Sequence, residues 1–213
     1  MERASNDRPK RLGILLSGRG SNFQTIAQSI RESRLPGVEI AIVISNVPNA
    51  GGLQAAAELG LPHQLFISQA RPRAEHDADV IACLRAHNVD LVCLAGYMRL
   101  LSPQFIAAFP NRILNIHPSL LPAFPGLEAQ QQAFEYGVKV AGCTVHFVDE
   151  HLDHGVIILQ RAIPVLETDD AHSLAARILS EEHQAYTEAI ARVVSGRYEI
   201  RNRNFVPINL PEH

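Results

Sequence analysis

The sequence predicts an α/β protein, a three-layer, mostly parallel twisted sheet with helices on both faces and a Rossmann-like N-terminal half. Three observations predict it. Short, nearly all-apolar runs alternate with amphipathic ones through the first half of the 213 residues, as buried parallel strands and their crossover helices do. The first apolar run ends in the glycine turn "SGRGSN", which opens onto a helical pattern. No repeat, low-complexity block or linker divides the chain, so one domain over 1–213 is expected, with a polar segment at 1–10 and a tail from about 201 to 213.

The elements follow in order. "RLGILL" (11–16) is the first strand, and "FQTIAQSIRE" after the glycine turn is an amphipathic helix. "VEIAIVIS" (38–45) is strongly β-branched and reads as a buried strand, and the Ala-rich stretch 50–60 as a helix capped by Gly60. "HQLFI" (63–67) is a weaker strand. Residues 72–88 form a helix with Pro72 near its start, where proline is tolerated. "DLVCLAG" (90–96) is another buried strand, followed by a short helix with Ser102 as N-cap and Pro103 at its first position. The strand in "RILNIH" is stopped by Pro118. In the second half, residues 141–148 and 155–165 read as a pair of longer strands, possible antiparallel partners. Residues 169–196 form one long helix, capped by an Asp and closed by Gly196, and a polar tail of weak strand character follows.

Composition excludes several function classes. The chain is 46% hydrophobic and carries a net charge of -3, which provides neither a basic footprint for nucleic acid nor a polybasic membrane patch. The start, "MERASNDRPK", is polar with no apolar segment after it, so no signal peptide is expected, and the apolar runs are too short to span a bilayer. A cytoplasmic location is expected. Cys83, Cys93 and Cys143 are far apart and odd in number, and they read as reduced thiols packed as small hydrophobes.

Candidate chemistry begins at the glycine turn. Gly18 and Gly20 lie between a strand and a helix, where backbone N–H groups and the helix dipole favour an anion, and Ser21 and Asn22 add side-chain donors. No GK[ST] follows, and Phe23 occupies the place of a third glycine. A single phosphate monoester therefore fits better than a pyrophosphate; a turn that needs Gly only for its backbone angles is the plainer alternative. On the later strand, alternation puts Asn115 and His117 on one face, at the carboxyl end where ligands of a parallel sheet bind. An amide donor beside a group that exchanges a proton near neutral pH can hold an oxyanion and move a proton, the two needs of acyl transfer. The alternative is a core Asn and His satisfied by backbone at a turn. The loop in "HFVDEHLDHG" could deliver a carboxylate to His117; Asp153 and Asp149 are both candidates. The order H-x4-H-x2-H there matches no common zinc spacing, so no metal is expected.

Taken together, "SGRGSN", "LAGYMRLLSP" (94–103), "LNIHPSLLPAFPG" (114–126), "TVHFVDEHLDHG" (144–155) and "EEHQAY" (181–186) closely resemble the phosphoribosylglycinamide formyltransferases. These are the folate-dependent glycinamide ribonucleotide transformylases of purine biosynthesis and one-carbon metabolism. The resemblance covers about residues 11–200 and implies the formyltransferase fold. It also implies transfer of a formyl group from the co-substrate 10-formyltetrahydrofolate to the amine of the ribonucleotide, with no metal. It assigns Asn115, His117 and Asp153 as the catalytic trio: amide donor to the oxyanion, general acid, and support for the imidazolium. Gly20, Ser21, Asn22 and Glu182 match the ribonucleotide site. Arg73, Met98, Arg99, Leu100 and Leu101 match the folate pocket, to which Asn115 also contributes. The loop Asp149, Glu150, His151, Leu152 and Asp153 would wrap the pterin. Small molecules are the expected partners, with the chain a monomer or homodimer.

Two departures stand out. His154 occupies a place where many relatives carry a small residue, and Arg19 sits within the phosphate loop. Three rival readings are weaker. A formyltetrahydrofolate deformylase would carry an extra N-terminal regulatory domain, and a methionyl-tRNA formyltransferase a longer chain with a basic domain. A non-catalytic nucleotide-binding module gives Asn115, His117 and an Asp-bearing loop no reason to coexist.

Overall fold

The computed structural model describes residues 8–208, so the segment 1–7 and the last residues of the expected tail, 209–213, lie outside the described residues. Nine strands form one sheet in the order β3-β2-β1-β4-β5-β6-β7-β9-β8. The first five are parallel: β1 (Lys10–Leu16), β2 (Val38–Ser45), β3 (His63–Leu65), β4 (Leu91–Leu94) and β5 (Ile113–His117). The order reverses between β1 and β4, which creates the crevice at the strands' carboxyl ends where such sheets take ligands. β6 (Val140–Phe147) then runs antiparallel to β5, and β7 (Ile157–Pro164) antiparallel to β6, so the possible pairing of the two long strands is realised.

The three layers follow from strand alternation. Leu12, Ile14 and Leu16 of β1 pack in one core with Phe23 and Ile26 of α1 (Ser21–Arg31) and with Ile178 and Tyr186 of α6 (Ala171–Val194). Leu15 faces the other core, with Val80 and Leu84 of α3 (Arg73–Ala86) and Phe105 of α4 (Pro103–Ala108). Helix α2 (Gly51–Glu58) closes at Gly60, whose φ of 67° suits a residue without a side chain, and the Leu61 amide reaches back 2.9 Å to the Ala56 carbonyl. Ser102 caps α4 by accepting the Phe105 amide at 3.3 Å, with Pro103 behind it. Asp170 caps α6 reciprocally with Ser173: each side chain takes the other's backbone N–H, at 2.7 and 2.9 Å. Cys93 and Cys143 are buried in the core and all three thiols are free; burial pushes the Cys93 thiol up to about 12.

Two elements stand where the sequence carries weak signals. Helix α5 (Ala129–Tyr136) starts from Glu128, which is left-handed at φ 55° and makes no side-chain cap, so no N-cap residue announces it. The polar tail folds into a hairpin, β8 (Tyr198–Arg201) and β9 (Asn204–Pro207), with β9 pairing parallel to β7 at Ile157↔Asn204. Its apolar content is small but concentrated: Tyr198 and Phe205 stack at 4.6 Å.

Candidate active site

The site starts from the register of β5 against β6, which pairs Asn115 with His146 and His117 with Thr144. Four polar side chains thus share one face of an otherwise apolar pair of strands. The turn after Pro118 is pinned from below. Thr144 Oγ1 donates to the Ser119 carbonyl at 2.7 Å and accepts the Leu121 amide at 3.0 Å, while Gln160 donates to the Leu121 carbonyl at 2.9 Å. The chain after His117 therefore folds back over the strand end.

His117 is 5% exposed and lies between two acceptors. Its Nε2 is 2.8 Å from the Phe124 carbonyl, and its Nδ1 is 3.5 Å from Asp153 Oδ2. A neutral ring has one N–H and satisfies one of these; the imidazolium satisfies both. Asp153 is fixed in turn by the Gly126 amide, which donates to Oδ2 at 2.8 Å. Of the two aspartates open to choice in the sequence, Asp153 is the one that faces His117. Asp149 is turned to the His154 ring at 2.8 Å and the His151 amide at 2.9 Å. Burial tends to raise Asp149, but those two hydrogen bonds together hold it below the ordinary carboxylate value. Asp153 has φ 48°, in the left-handed region that few residues with side chains adopt and that aspartate tolerates better than most. Gly155 follows because space forbids anything larger: a Cβ there would lie 1.7 Å from the Phe147 carbonyl oxygen.

His146 is the member that sequence reasoning missed. Its Nδ1 is 2.8 Å from the Phe147 carbonyl, so the proton sits on Nδ1 and Nε2 is a lone pair. That lone pair takes the Asn115 amide N–H at 3.2 Å, which fixes which end of the Asn115 side chain is the donor and leaves its second N–H free. His146 Nε2 also lies 3.9 Å from Asp153 Oδ1. Burial pulls the His146 pKa below its ordinary value, and the nearby Asp153 charge only partly offsets this. Strand alternation from Thr144 was the available signal, once the pairing with β5 is known.

The glycine turn joins this rim from β1. Gly20, left-handed at φ 72°, precedes α1 with no side-chain cap, so the first-turn amides of the helix are left for another acceptor. A Cβ on Gly20 would stand 2.9 Å from Gly52 Cα, which ties the position to glycine. Ser17, also missed, stitches three loops together: its hydroxyl donates to Asn46 Oδ1 at 2.6 Å and accepts the Met98 amide at 2.8 Å. Asn22 donates to Glu182 Oε2 at 2.8 Å, and its own Oδ1 is buried with no partner among the described residues. Burial raises the Glu182 pKa, opposed in part by that bond.

The remaining candidates spread along the loops after β3 and β4 and after β6. Met98, Leu100 and Leu152 are exposed, unusually so for large apolar side chains, and so are Arg73, Glu150 and His151. Leu101 packs inward on the α3–α4 core. The Arg99 guanidinium is turned away from solvent and donates to the Ser68 and Arg71 carbonyls at 3.2 and 3.1 Å, which leaves its backbone for a ligand. Asp149, His151 and His154 offer ligand atoms within 4.8 Å of one another. The Arg203 guanidinium lies 3.1 Å from His154 Nε2, however, and a second cation there would meet its charge.

The chain also matches known proteins in sequence and in fold. The family model described as Formyl transferase matches residues 10–190. The chain is 39% identical over 188 residues to the phosphoribosylglycinamide formyltransferase of Escherichia coli (strain K12), covering 88% of each. It is 46% identical over 198 residues, 90% of its length, to the trifunctional purine biosynthetic protein adenosine-3 of Drosophila melanogaster, of which it spans only 14%. The crystal structure of glycinamide ribonucleotide transformylase 1 from Symbiobacterium toebii superposes with a TM-score of 0.92 at 50% identity, covering 98% of this chain and 99% of that one.

Proposed function

The chain belongs to the formyl transferase family, and from that premise we propose that it transfers a formyl group from 10-formyltetrahydrofolate to the amine of phosphoribosylglycinamide. The products are formylglycinamide ribonucleotide and tetrahydrofolate, as in purine biosynthesis. The observation that carries the reading is the meeting of Asn115, His117 and Asp153 on one rim with an uncapped helix start at Gly20.

The ribonucleotide phosphate sits at Gly20, Ser21 and Asn22, on the amides of α1. Glu182, reached through Asn22, accepts from the neutral part of the same substrate. The folate ring lies along Met98–Leu101 and the 149–153 loop, where exposed apolar side chains suit a flat heterocycle. The substrate amine attacks the formyl carbon and the carbonyl oxygen becomes an oxyanion. The free N–H of Asn115 and the protonated His117 ring stabilise that charge where it develops. Collapse expels the folate nitrogen, which takes up one proton as the amine gives one up. Asp153 holds the His117 ring oriented while this exchange proceeds, directly or through a water. No metal enters the scheme. Among the described residues no helix is long and apolar enough to cross a membrane. The reading carries with it small-molecule partners, a monomer or homodimer, and a cytoplasmic location.

Hydrolysis of the formyl group to formate would use the same trio, but it leaves the phosphate loop and the Asn22–Glu182 pair without a task. The test follows folate release from a 10-formylfolate analogue with and without the ribonucleotide. Release that depends on the ribonucleotide is expected; release indifferent to it would overturn transfer in favour of hydrolysis.

A further inference from the structure

The loop that carries Asp153 is gripped at its outer end by the last strand pair of the sheet. Tyr198 and Phe205 stack on each other and lie 6.1 and 6.5 Å from Phe147, the last residue of β6, so the hairpin is seated on the strand that leads into the loop. Asn204 adds the backbone pairing to Ile157, just past the loop's other end. This seating carries the turn residue Arg203 over His154. One guanidinium nitrogen donates to the His154 backbone carbonyl, and the other lies 3.1 Å from its Nε2. The His154 ring then meets Asp149 Oδ2 at 2.8 Å, and Asp149 Oδ1 takes the His151 amide at 2.9 Å.

A continuous set of contacts thus runs from the hairpin to both ends of the loop, and Asp153 is the residue immediately before His154. Asp153 keeps a left-handed backbone (φ 48°), uncommon for a residue with a side chain although aspartate enters that region more readily than most. Within the site a single amide, that of Gly126, donates to its side chain at 2.8 Å. A strained conformation persists when the surroundings over-determine it. Arg203 supplies the outer half of that constraint, and the His154 ring gives it something to hold.

We propose that Arg203 is a positioning residue: the C-terminal hairpin is a clasp that holds the Asp153 loop in its reactive shape before substrate arrives. The role in turnover rests on the formyl-transfer reading, whereas the holding of the loop does not. Ordering a loop in advance removes that entropy from the binding and reaction steps, so its loss falls on folate binding and on kcat together.

The test compares the full-length chain with Arg203→Ala and Arg203→Lys. Amide hydrogen exchange without ligands reads the loop itself, with exchange in β1 and β4 as the check that each variant is folded. Arg203→Ala is expected to speed exchange of amides in 149–155 by roughly tenfold, corresponding to loss of one charge-assisted hydrogen bond, with β1 and β4 unchanged. It should lower kcat and raise KM for the folate several-fold while leaving KM for the ribonucleotide unaltered, and Lys should restore part of both. Unchanged loop exchange in Arg203→Ala overturns the clasp, as does faster exchange spread evenly through the sheet, which marks a merely structural arginine. If the parent protein fails to transfer formyl at all yet the loop exchange responds, the clasp stands and the functional reading falls.

Discussion

His117 Nδ1 and Asp153 Oδ2 face each other at 3.5 Å, one at the end of a central strand and the other on a left-handed loop residue. The strand end sets the histidine, and the loop's attachments at Gly126 and His154 set the aspartate.

The first prediction removes the charge and keeps the shape. Asp153→Asn retains an oxygen for the Gly126 amide but no carboxylate to face His117 and His146. We expect kcat to fall by about 10²–10⁴-fold, the usual worth of positioned acid–base groups, with ribonucleotide affinity nearly unchanged. His117→Ala should behave alike. Single-turnover kinetics with calorimetric binding separates the two quantities, and near-parental turnover would take the residue out of the mechanism.

His146→Gln tests the buried histidine in two ways. Without the Nε2 lone pair in place, the Asn115 amide can rotate, and a drop of about tenfold in kcat is expected from loss of one oriented donor. The pH dependence has a definite sign. Burial depresses the folded-state pKa of His146, so the unfolded chain binds the extra proton first. The associated stability is present above about pH 6.5, the unfolded value, and is lost as pH falls toward the folded one. Thermal melts from pH 7 to pH 5 should slope less steeply in the variant; parallel curves would contradict the assignment.

Glu182→Gln should separate stability from function. The folded pKa of Glu182 is raised by burial, so the folded state keeps its proton longer, and stability declines as pH rises through the folded value. Gln still accepts from Asn22 and carries no charge. The variant should melt with the parent near pH 4 and several degrees above it at pH 8, while KM for the ribonucleotide rises about tenfold or more through loss of a charged acceptor. A variant that melts lower at pH 8 would count against the desolvation argument.

Arg99→Lys should raise KM for the folate and leave that for the ribonucleotide alone. A single ammonium cannot span the Ser68 and Arg71 carbonyls as the guanidinium fork does, so the loop leading to Arg73 loosens. Steady-state kinetics with each substrate varied in turn decides it; equal shifts in both constants would mean a general loss of structure.

Much of this was legible in the residues. Alternation put Asn115 and His117 on one face, Pro118 ended their strand, and Ser102, Asp170 and Gly60 announced helix ends that the fold uses. These are short-range effects of side-chain direction, capping and backbone angle. Helix α5 was not legible, because it begins at a left-handed glutamate with no capping side chain. The hairpin at 198–207 was barely so, since its stability comes from the stacking of Tyr198 and Phe205 beside Phe147 rather than from its own polar strands.

The sequence alone thus determined the layers, the switch-point rim and the polar pair on it, because local periodicity and turn chemistry act over a few residues at a time. Tertiary structure decided the partners. The contact of Asp153 with His117, a partner that the motif resemblance names but residue chemistry leaves open against Asp149, the recruitment of His146 to orient Asn115, the inward turn of Arg99 and the reach of Arg203 to His154 each depend on pairings between distant segments. Register and loop closure create those contacts only once the sheet has assembled, and no local pattern encodes them.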